Sequence, residues 1–493
     1  MAGPSLSCAE SESHLTGEAN RLASVAVKHT AHGYWIEEAG APEPAPPLAG
    51  DREFDVLIVG GGFTGMWTAW HLHAGDPDLK IALLESGVCG HGPSGRNGGF
   101  AEGMWAYFKK LSERYGEAAA FDIGTLAERS VDQIAEFLDA EGIDAWYRRS
   151  GYMNVSTSPS QDGAWDEQVA ALNAAGLGDH ARVLTAEGVE EVCHSPRFRG
   201  GVLFDDTATL QPARLAFGLR RRLMEEGVSV FENSPVVALD DGPSGVTART
   251  RGGSIRAARA VLASGAALAG FGSPVRDKVT IASSHMVITE PVPDVLEKIG
   301  WDGAPAITDC RSLLNYFRTT PDGRIAFGWG GGKIAAGGRR GGTAEVDADV
   351  ISQVAGNLTD YFPDIKGREL THAWGGPIDA SASHLPHVVS LPSGRTFAAF
   401  GYTGNGVGPT QMIGRTLASL CLDRRDEYTA LALVEPPSNL TTVPPEPFRW
   451  IGGTVIRDAI HRKEKAELLG EKPGIVTSAI AAVPGLIGFH IGR

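Results

Sequence analysis

The stretch Val56-Leu57-Ile58-Val59-Gly60-Gly61-Gly62-Phe63-Thr64-Gly65 decides the fold of this chain. Its first four residues form a continuous apolar run, which predicts a strand buried on both faces. Glycines then follow at GxGxxG spacing, and a helical apolar pattern begins at Met66. In such a unit Gly60 allows the sharp turn, Gly62 lets backbone N–H groups reach a pyrophosphate, and Gly65 packs helix against strand. The stretch therefore predicts a nucleotide-binding turn, with Phe63 and Thr64 among its binding residues.

An acidic residue ends the next strand. Ile81–Leu84 is a second buried apolar run, and Glu85 follows it directly, with Ser86 beside it. A carboxylate at this position accepts hydrogen bonds from a ribose diol. A glycine-rich turn in an ordinary α/β domain would not account for this acid. The acid disfavours NADP, whose 2′-phosphate is bound by an arginine, but it does not separate FAD from NAD.

Two further glycine-rich loops favour the longer cofactor, FAD. Ser94-Gly95-Arg96-Asn97-Gly98-Gly99 closely follows the acid and offers backbone donors to a second part of the cofactor. Arg96 either binds a phosphate or orients a substrate acid, or it is an exposed loop arginine. Gly401–Gly408 lies between the buried strand Thr396–Phe400 and a helix from about Pro409 to Cys421. N–H groups at such a helix start stabilise negative charge on a reduced ring system, unless the segment is simply a tight turn.

The composition is that of a folded protein with more than one domain. The chain has 493 residues, 42% of them apolar and 21% charged, and this length suggests two or three domains. The net charge of −15 argues against nucleic acid and against an anionic membrane surface as partners. The cysteines form no CxxC pair, which argues against a zinc site and fits a reducing cytoplasm. We therefore expect a cytoplasmic protein without a bound metal.

Both ends of the chain differ from its middle. Residues 1–52 are predicted to form an arm, with a short helix over Ala19–Val27 and extended proline-rich chain after it. Residues 431–493 are predicted to form an appendage with a helix around Arg457–Leu469. Within it, the apolar stretch Ile475–Ile491 is short for a membrane span and is interrupted by Pro484. We expect a docked tail and no stable membrane insertion, with a peripheral membrane contact as the alternative.

With these motifs the chain resembles the amine-oxidising FAD family of D-amino-acid oxidase, glycine oxidase and sarcosine oxidase. The closest likeness within that family is to bacterial gamma-glutamylputrescine oxidase-like proteins. The resemblance covers about residues 30–425, and none of its motifs identifies a substrate. It lies in Tyr34-Trp35, Asp55–Gly65, Ser94–Gly99, Leu210–Pro212, Ser264-Gly265-Ala266, Trp374-Gly375-Gly376 and Gly401–Gly408.

The resemblance implies an α/β fold in which a glutathione-reductase-like, Rossmann-type FAD-binding domain is interleaved with an α+β substrate domain of mainly antiparallel sheet. The FAD-binding domain would comprise 53–105, 185–270 and 385–430, and the substrate domain 106–184 and 271–384. The backbone of Val236 would reach the adenine, and Gly265 would approach the cofactor closely. Further cofactor contacts are expected from Ser264, Trp374, Gly404, Asn405, Gly406, Val407 and Gly408.

The resemblance also implies the chemistry. A small primary or secondary amine binds neutral over the flavin, and a hydride passes from its α-carbon to flavin N5. The imine hydrolyses in water, and molecular oxygen reoxidises the flavin to give hydrogen peroxide. Because positioning dominates, no strong protein base is needed. Lys333 falls on a segment similar to one in sarcosine-oxidising relatives, where a lysine near the flavin promotes the oxygen reaction; otherwise it is a surface lysine.

The chain departs from the family pattern at the substrate end. Glycine-oxidase-like members hold the substrate carboxylate with two arginines, whose places here are Gly376-Pro377-Ile378-Asp379 and Thr403-Gly404-Asn405. The missing clamp argues against simple α-amino acids. Asp379 either attracts the distal ammonium of a polyamine-type substrate or caps a turn. Tyr316 and Arg318 share one strand face, and if it lines the pocket, Arg318 binds a remote carboxylate or phosphonate.

Other candidates are Tyr402 in the last glycine-rich loop and the histidines His384, His387 and His285, each of which is otherwise a packed or surface residue. We predict a non-covalent FAD, because the family's attachment positions hold Asn97 and Gly375-Gly376 here; His91 is the one nearby exception. Three functions stay open: an FAD amine oxidase, a flavin dehydrogenase that passes electrons to a quinone or carrier protein, and a non-catalytic nucleotide-binding subunit. The oligomeric state is not predicted.

Overall fold

The computed structural model describes residues 28–29, 32–270 and 272–489, which form two large sheets flanked by helices. The architecture is mixed α/β, as the sequence predicts. The helix expected over Ala19–Val27 lies outside the described residues, as does the last part of the expected tail segment at Ile491.

The first sheet, with eight strands among the described residues, carries the glycine-rich turn. Arg52–Val59 pairs in parallel with Ile81–Leu84 on one side and with Ser254–Leu262 on the other. Val59 is level with the last residue of both neighbours, so the turn and Glu85 meet at one edge of the sheet. This carboxyl-end edge is where open α/β sheets bind ligands. The strands are Arg52–Val59, Ile81–Leu84, Ser229–Phe231, Ala238–Gly242, Gly245–Arg249, Ser254–Leu262, His387–Ser390 and Thr396–Phe400.

The second sheet is mainly antiparallel, as expected for a substrate domain, and has nine strands in the described ranges. The strand at 201–204 falls within a segment predicted for the FAD-binding domain, yet it pairs in this sheet. Otherwise the division into domains stays a prediction. The strands are Lys28–His29, Tyr152–Val155, Ala181–Leu184, Gly201–Phe204, Thr280–Thr289, Ala306–Asp309, Asn315–Thr319, Ile325–Trp329 and Leu370–Ala380. A small third sheet pairs Phe100–Ala101, Arg148–Arg149 and Ala208–Thr209.

The helix after the glycine-rich turn, Phe63–Gly75, packs on Pro409–Cys421. They approach closely because Gly414 has no side chain: a Cβ there would lie 2.6 Å from the Cβ of Trp67. The other helices are Gly33–Ala39, Phe108–Tyr115, Glu117–Ala140, Asp166–Ala174, Ala186–Glu190, Pro212–Glu225, Pro293–Lys298, Ala348–Tyr361, Phe448–Leu468 and Ile475–Leu486.

The described part of the arm is built into the core. Trp35 is fully buried, and Gly33, at φ +74°, lies so close to the Trp374 ring that a Cβ would approach it to 2.6 Å. Further along, the backbone N–H of Ala45 donates to buried Glu232 at 2.6 Å. The arm therefore contacts both the Trp374 strand of the second sheet and the region of Glu232 beside the first sheet.

The C-terminal appendage is a pair of helices, Phe448–Leu468 and Ile475–Leu486. The second helix is docked on one side: it packs along the first helix, with Pro484 buried and Ala481 against the core. Its other side leaves large apolar side chains exposed, with Ile475 at 88% and Leu486 at 82%. No helix in the described ranges is long and apolar enough to cross a membrane.

Candidate active site

The glycine-rich turn forms an open cradle at the end of the first sheet. Gly60 has φ +114°, and a Cβ there would lie 2.5 Å from the carbonyl oxygen of Ala263, so only glycine fits. At Gly62 a Cβ would meet only the Ser94 hydroxyl, at 3.0 Å. The helix that starts at Phe63 has no side-chain cap from Gly62, although the Phe63 N–H donates to the Ser94 hydroxyl at 2.8 Å. This open helix start suits an anionic group.

Glu85 lies beside the cradle with its carboxylate partly engaged. One oxygen accepts from the Gly61 N–H at 2.8 Å, and the other accepts from the Gly87 N–H and the Ser86 hydroxyl, each at 2.8 Å. The acid thus stabilises the turn itself. The oxygen that accepts from the Gly61 N–H has one lone-pair site left, so it could still accept from a ribose hydroxyl.

The second glycine-rich loop is held in place by its own side chains. Asn97 donates to the Ser94 carbonyl at 2.8 Å and accepts from the Gly99 N–H at 2.7 Å. Arg96 is buried rather than an exposed loop residue: it donates to the Gly375 carbonyl at 3.3 Å and pairs with Glu345 at 3.5 Å. Burial lowers the pKa of its guanidinium.

The third loop, 401–408, closes against the first. The Tyr402 hydroxyl is 2.8 Å from the Thr64 hydroxyl, and burial raises the Tyr402 pKa, so the phenol stays protonated. At Gly408 a Cβ would lie 2.1 Å from the Glu102 carbonyl oxygen. The three loops all line one cavity of about 880 Å³.

Most of the predicted residues line this cavity. They are Gly60, Gly62, Phe63, Thr64, Glu85, Ser86, Ser94, Arg96, Asn97, Gly98, Ser264, Gly265, Tyr316, Trp374, Asp379, His384, Tyr402, Gly404, Asn405, Gly406 and Val407. Gly65, Gly95, Gly99 and Gly408 do not line it but keep backbones close together, since a Cβ at each would lie 2.0–2.3 Å from a carbonyl oxygen. Val236 also lies outside the lining and packs against the core of the first sheet.

Two predicted residues point elsewhere. The Arg318 guanidinium donates to the carbonyls of Gly99 and Leu210 at 3.2 and 2.6 Å and lies over the Trp35 ring. Burial lowers its pKa to about 9, so it stays charged and structural at neutral pH, and the expected role in binding a remote carboxylate is wrong.

Lys333 likewise turns away from the cavity. Its side chain is nearly half exposed, and its ammonium pairs with Asp347 at 2.7 Å, so the interpretation as a surface lysine fits and the buried-cation role does not. Among the histidines, His387 is packed between Ser383 and Glu435, and His285 is buried under Gly375; neither lines the cavity.

The substrate side of the cavity contains a buried carboxylate. Asp379 is 8% exposed, and its Oδ2 accepts from the Gly401 N–H at 2.7 Å. It therefore does cap the turn, yet it also lines the cavity. Burial raises its pKa to about 6, and no cation in the described part of the chain pairs with it. On another strand of the same sheet, the Tyr316 hydroxyl lies 2.8 Å from the Ser284 hydroxyl, and Tyr316 also lines the cavity.

Sequence reasoning missed one wall of the cavity. Phe448, Gly452 and Ile456 of the first C-terminal helix line it, as do Arg340 and Glu345 of a loop in the substrate region. The pair Gly452-Gly453 was an available signal, because glycine in a helix interior costs stability and marks a close approach. A Cβ at residue 453 would indeed lie 3.3 Å from Ile334.

Comparisons with known proteins agree with this site. The sequence matches the FAD dependent oxidoreductase (DAO) family over residues 55–420. It is 26% identical to the probable oxidoreductase OrdL of Rhizobium meliloti (strain 1021), over 87% of this chain and 95% of that protein. It is 28% identical to gamma-glutamylputrescine oxidoreductase of Escherichia coli (strain K12), over 82% of this chain and 92% of that protein. Its fold is similar to that of glycine oxidase from Geobacillus kaustophilus, with a TM-score of 0.62 and 21% identity over 76% of this chain and 96% of that one.

Proposed function

The chain belongs to the FAD-dependent oxidoreductase (DAO) family, and on that premise we propose that it is an oxidase of small amines that carry a second cationic group. The predicted family, the FAD dependence and the oxidoreductase activity are thereby confirmed. The substrate and the electron acceptor are the parts that this proposal adds.

The groups around the cavity fit FAD. Gly62 leaves open the space that a side chain would fill, at a helix start where the N-cap residue itself supplies no side-chain cap. On this proposal the amides of 60–64 hold the pyrophosphate, Glu85 holds the ribose, and the loops at 94–98 and 404–407 hold the far end. Bound FAD supplies a two-electron acceptor, and the protein supplies position and electrostatics.

The unpaired carboxylate of Asp379 is the observation that carries the substrate class. The carboxylate accepts a hydrogen bond from the Gly401 N–H but has no cationic partner among the described residues. Burying a charge without an opposite charge costs free energy, and a substrate ammonium would offset that cost by pairing with it. The relatives named gamma-glutamylputrescine oxidoreductase and sarcosine oxidase subunit beta support an amine as substrate. Tyr316, whose pKa burial raises to about 12, lines the same cavity and on this proposal offers a neutral hydroxyl that orients the reacting amine.

We propose molecular oxygen as the electron acceptor. The amine loses two electrons and two protons to become an imine, which water hydrolyses to a carbonyl compound and the released amine or ammonia. Oxygen takes up two electrons and two protons and leaves as hydrogen peroxide. The relatives named glycine oxidase and sarcosine oxidase support this acceptor.

The test is to mix holoenzyme anaerobically with diamines, matched monoamines, N-methyl amino acids, glycine and aminophosphonates, and to follow flavin bleaching. We expect a diamine to bleach the flavin faster than the monoamine of equal length, and peroxide to appear when air is admitted. Bleaching by glycine but not by diamines would overturn the substrate class. Turnover with an artificial acceptor and no peroxide would favour a dehydrogenase, and colourless protein that refuses FAD would favour a non-catalytic subunit.

A further inference from the structure

The outer side of the C-terminal helix pair exposes a group of large apolar side chains. Single exposed apolar residues are ordinary, but a group of them on two adjoining helices marks an interaction site. We call this group the C-terminal apolar face; its members are Phe448, Ile451, Val455, Leu469, Ile475, Val476, Leu486 and Ile487.

The pattern along the first helix explains why these side chains share one side. Phe448, Ile451 and Val455 are spaced three and four residues apart, which places them on a single stripe. The exposed Arg462 and Leu469 follow at intervals of seven residues, two helical turns, and so lie on the same stripe. The second helix adds an uncharged surface, since residues 473–489 contain no Asp, Glu, Lys or Arg.

Charge distinguishes this region from the rest of the chain. Residues 448–489 contain six Lys and Arg against four Asp and Glu, although the whole chain has a net charge of −15. Of the four acids, Glu464 is buried, and two more are paired with Arg457 and Lys463. Arg462, Lys465 and Lys472 are exposed and form no ion pair within the described residues. The C-terminal helix pair is therefore basic and apolar, although the net charge of the whole chain is negative.

We infer that the C-terminal apolar face docks on an anionic lipid bilayer. Such a bilayer binds apolar side chains that stand beside Lys and Arg. The apolar side chains enter the boundary between headgroups and acyl chains, and the Lys and Arg side chains contact lipid phosphates. The second helix, Ile475–Leu486, has 12 residues, which suits a helix lying in the interface rather than one crossing it. A second copy of the chain fits less well, because two such faces would bring their unpaired cations together.

The face continues into the rim of the cavity. Phe448 and Ile487 both line the cavity, and each exposes more than half of its surface. Docking therefore places this part of the rim against the bilayer. The inference rests on exposure and charge and does not depend on the proposed substrate.

The test uses flavin-loaded protein and flotation with vesicles of phosphatidylcholine alone or mixed with phosphatidylglycerol in equal parts. We expect wild-type protein to float with the anionic vesicles, and binding to weaken about tenfold or more in Ile475→Asp/Leu486→Asp and in Lys465→Glu/Lys472→Glu. Val237→Asp is the control, because Val237 is an exposed apolar residue, at 63%, outside the C-terminal helices, directly before the strand Ala238–Gly242. Each variant must retain its flavin spectrum.

Three results would overturn the inference. Wild-type protein would stay unbound with both kinds of vesicle, or Val237→Asp would weaken binding as much as the paired variants do. The third is a dimer in sedimentation that dissociates on Ile475→Asp/Leu486→Asp, which would make the face an interface between copies.

Discussion

Replacing Asp379 by asparagine tests whether a buried carboxylate selects the substrate. Asparagine has the same shape and keeps an oxygen that accepts from the Gly401 N–H, so the turn stays intact while the charge is lost. A hydrogen bond to a buried charged group contributes about 1.5–3 kcal/mol, which corresponds to roughly 10- to 100-fold in affinity. We therefore expect the dissociation constant of a diamine to rise by that factor in Asp379→Asn, and that of the matched monoamine to change little.

The pH dependence gives a second, independent signature. Because burial raises the Asp379 pKa to about 6, the carboxyl becomes neutral below that pH and stops attracting a cation. The diamine dissociation constant of the wild type should rise about tenfold per pH unit below 6, relative to the monoamine. Since the folded pKa lies above the unfolded one, the contribution of Asp379 to the stability of the apoprotein should fall as pH rises from about 4 to 6 and stay constant above it, so this part of the pH dependence should be absent in Asp379→Asn.

Anaerobic stopped-flow bleaching at several amine concentrations measures both effects, and the monoamine serves as control for the substrate's own protonation. If Asp379→Asn keeps the wild-type ratio of diamine to monoamine, or keeps the rise below pH 6, the carboxylate does not bind the substrate and the reasoning fails.

Gly62→Val is expected to fold but to lose FAD, because its side chain fills the cradle while its Cβ meets only a hydroxyl; flavin content and urea unfolding test this. Gly60→Val should instead lose at least about 2 kcal/mol of stability, because φ is +114° and a Cβ there would lie 2.5 Å from a carbonyl oxygen. Equal stability of the two variants would contradict the different roles assigned to Gly60 and Gly62. Lys333→Met should leave the rate of flavin reoxidation by oxygen within about twofold of wild type, because the Lys333 side chain is 46% exposed, pairs with Asp347 and does not line the cavity. A larger loss in stopped-flow reoxidation would show that the lysine acts at the flavin. Acid precipitation should release the flavin into the supernatant, and a yellow pellet would disprove the non-covalent attachment.

The cofactor side of the site could be predicted from the sequence because its determinants are local. A buried strand, a turn that only glycine can make, and an acid at the next strand end each appear within about thirty residues. The structure brings these elements together by the parallel register of Arg52–Val59 with Ile81–Leu84. Even where glycines do not face the cavity, as at Gly65, their role in close backbone approach follows from the same motif.

The substrate side could not be predicted because it depends on which surface covers each strand. Tyr316 and Arg318 do share a strand, but they lie about 6.6 Å apart along it. Because of this distance Tyr316 lines the cavity and Arg318 does not. There the arm's Trp35 and the carbonyl of Leu210 enclose it. The arm and the Leu210 segment are distant in sequence, so no local pattern in 313–328 contains this information.

The C-terminal helix pair shows where such long-range information matters for function. The family match ends at residue 420, so Phe448–Leu468 lies beyond the matched region, yet it forms a wall of the cavity. This helix is held against the cavity by its buried Glu464, which accepts hydrogen bonds from the N–H groups of Ser312 and Leu313 at 2.6 and 3.2 Å. Both of those residues also line the cavity. The cofactor motifs all lie within the family match, whereas part of the cavity wall comes from a segment that the match does not include. The motifs therefore identify FAD but leave the amine open.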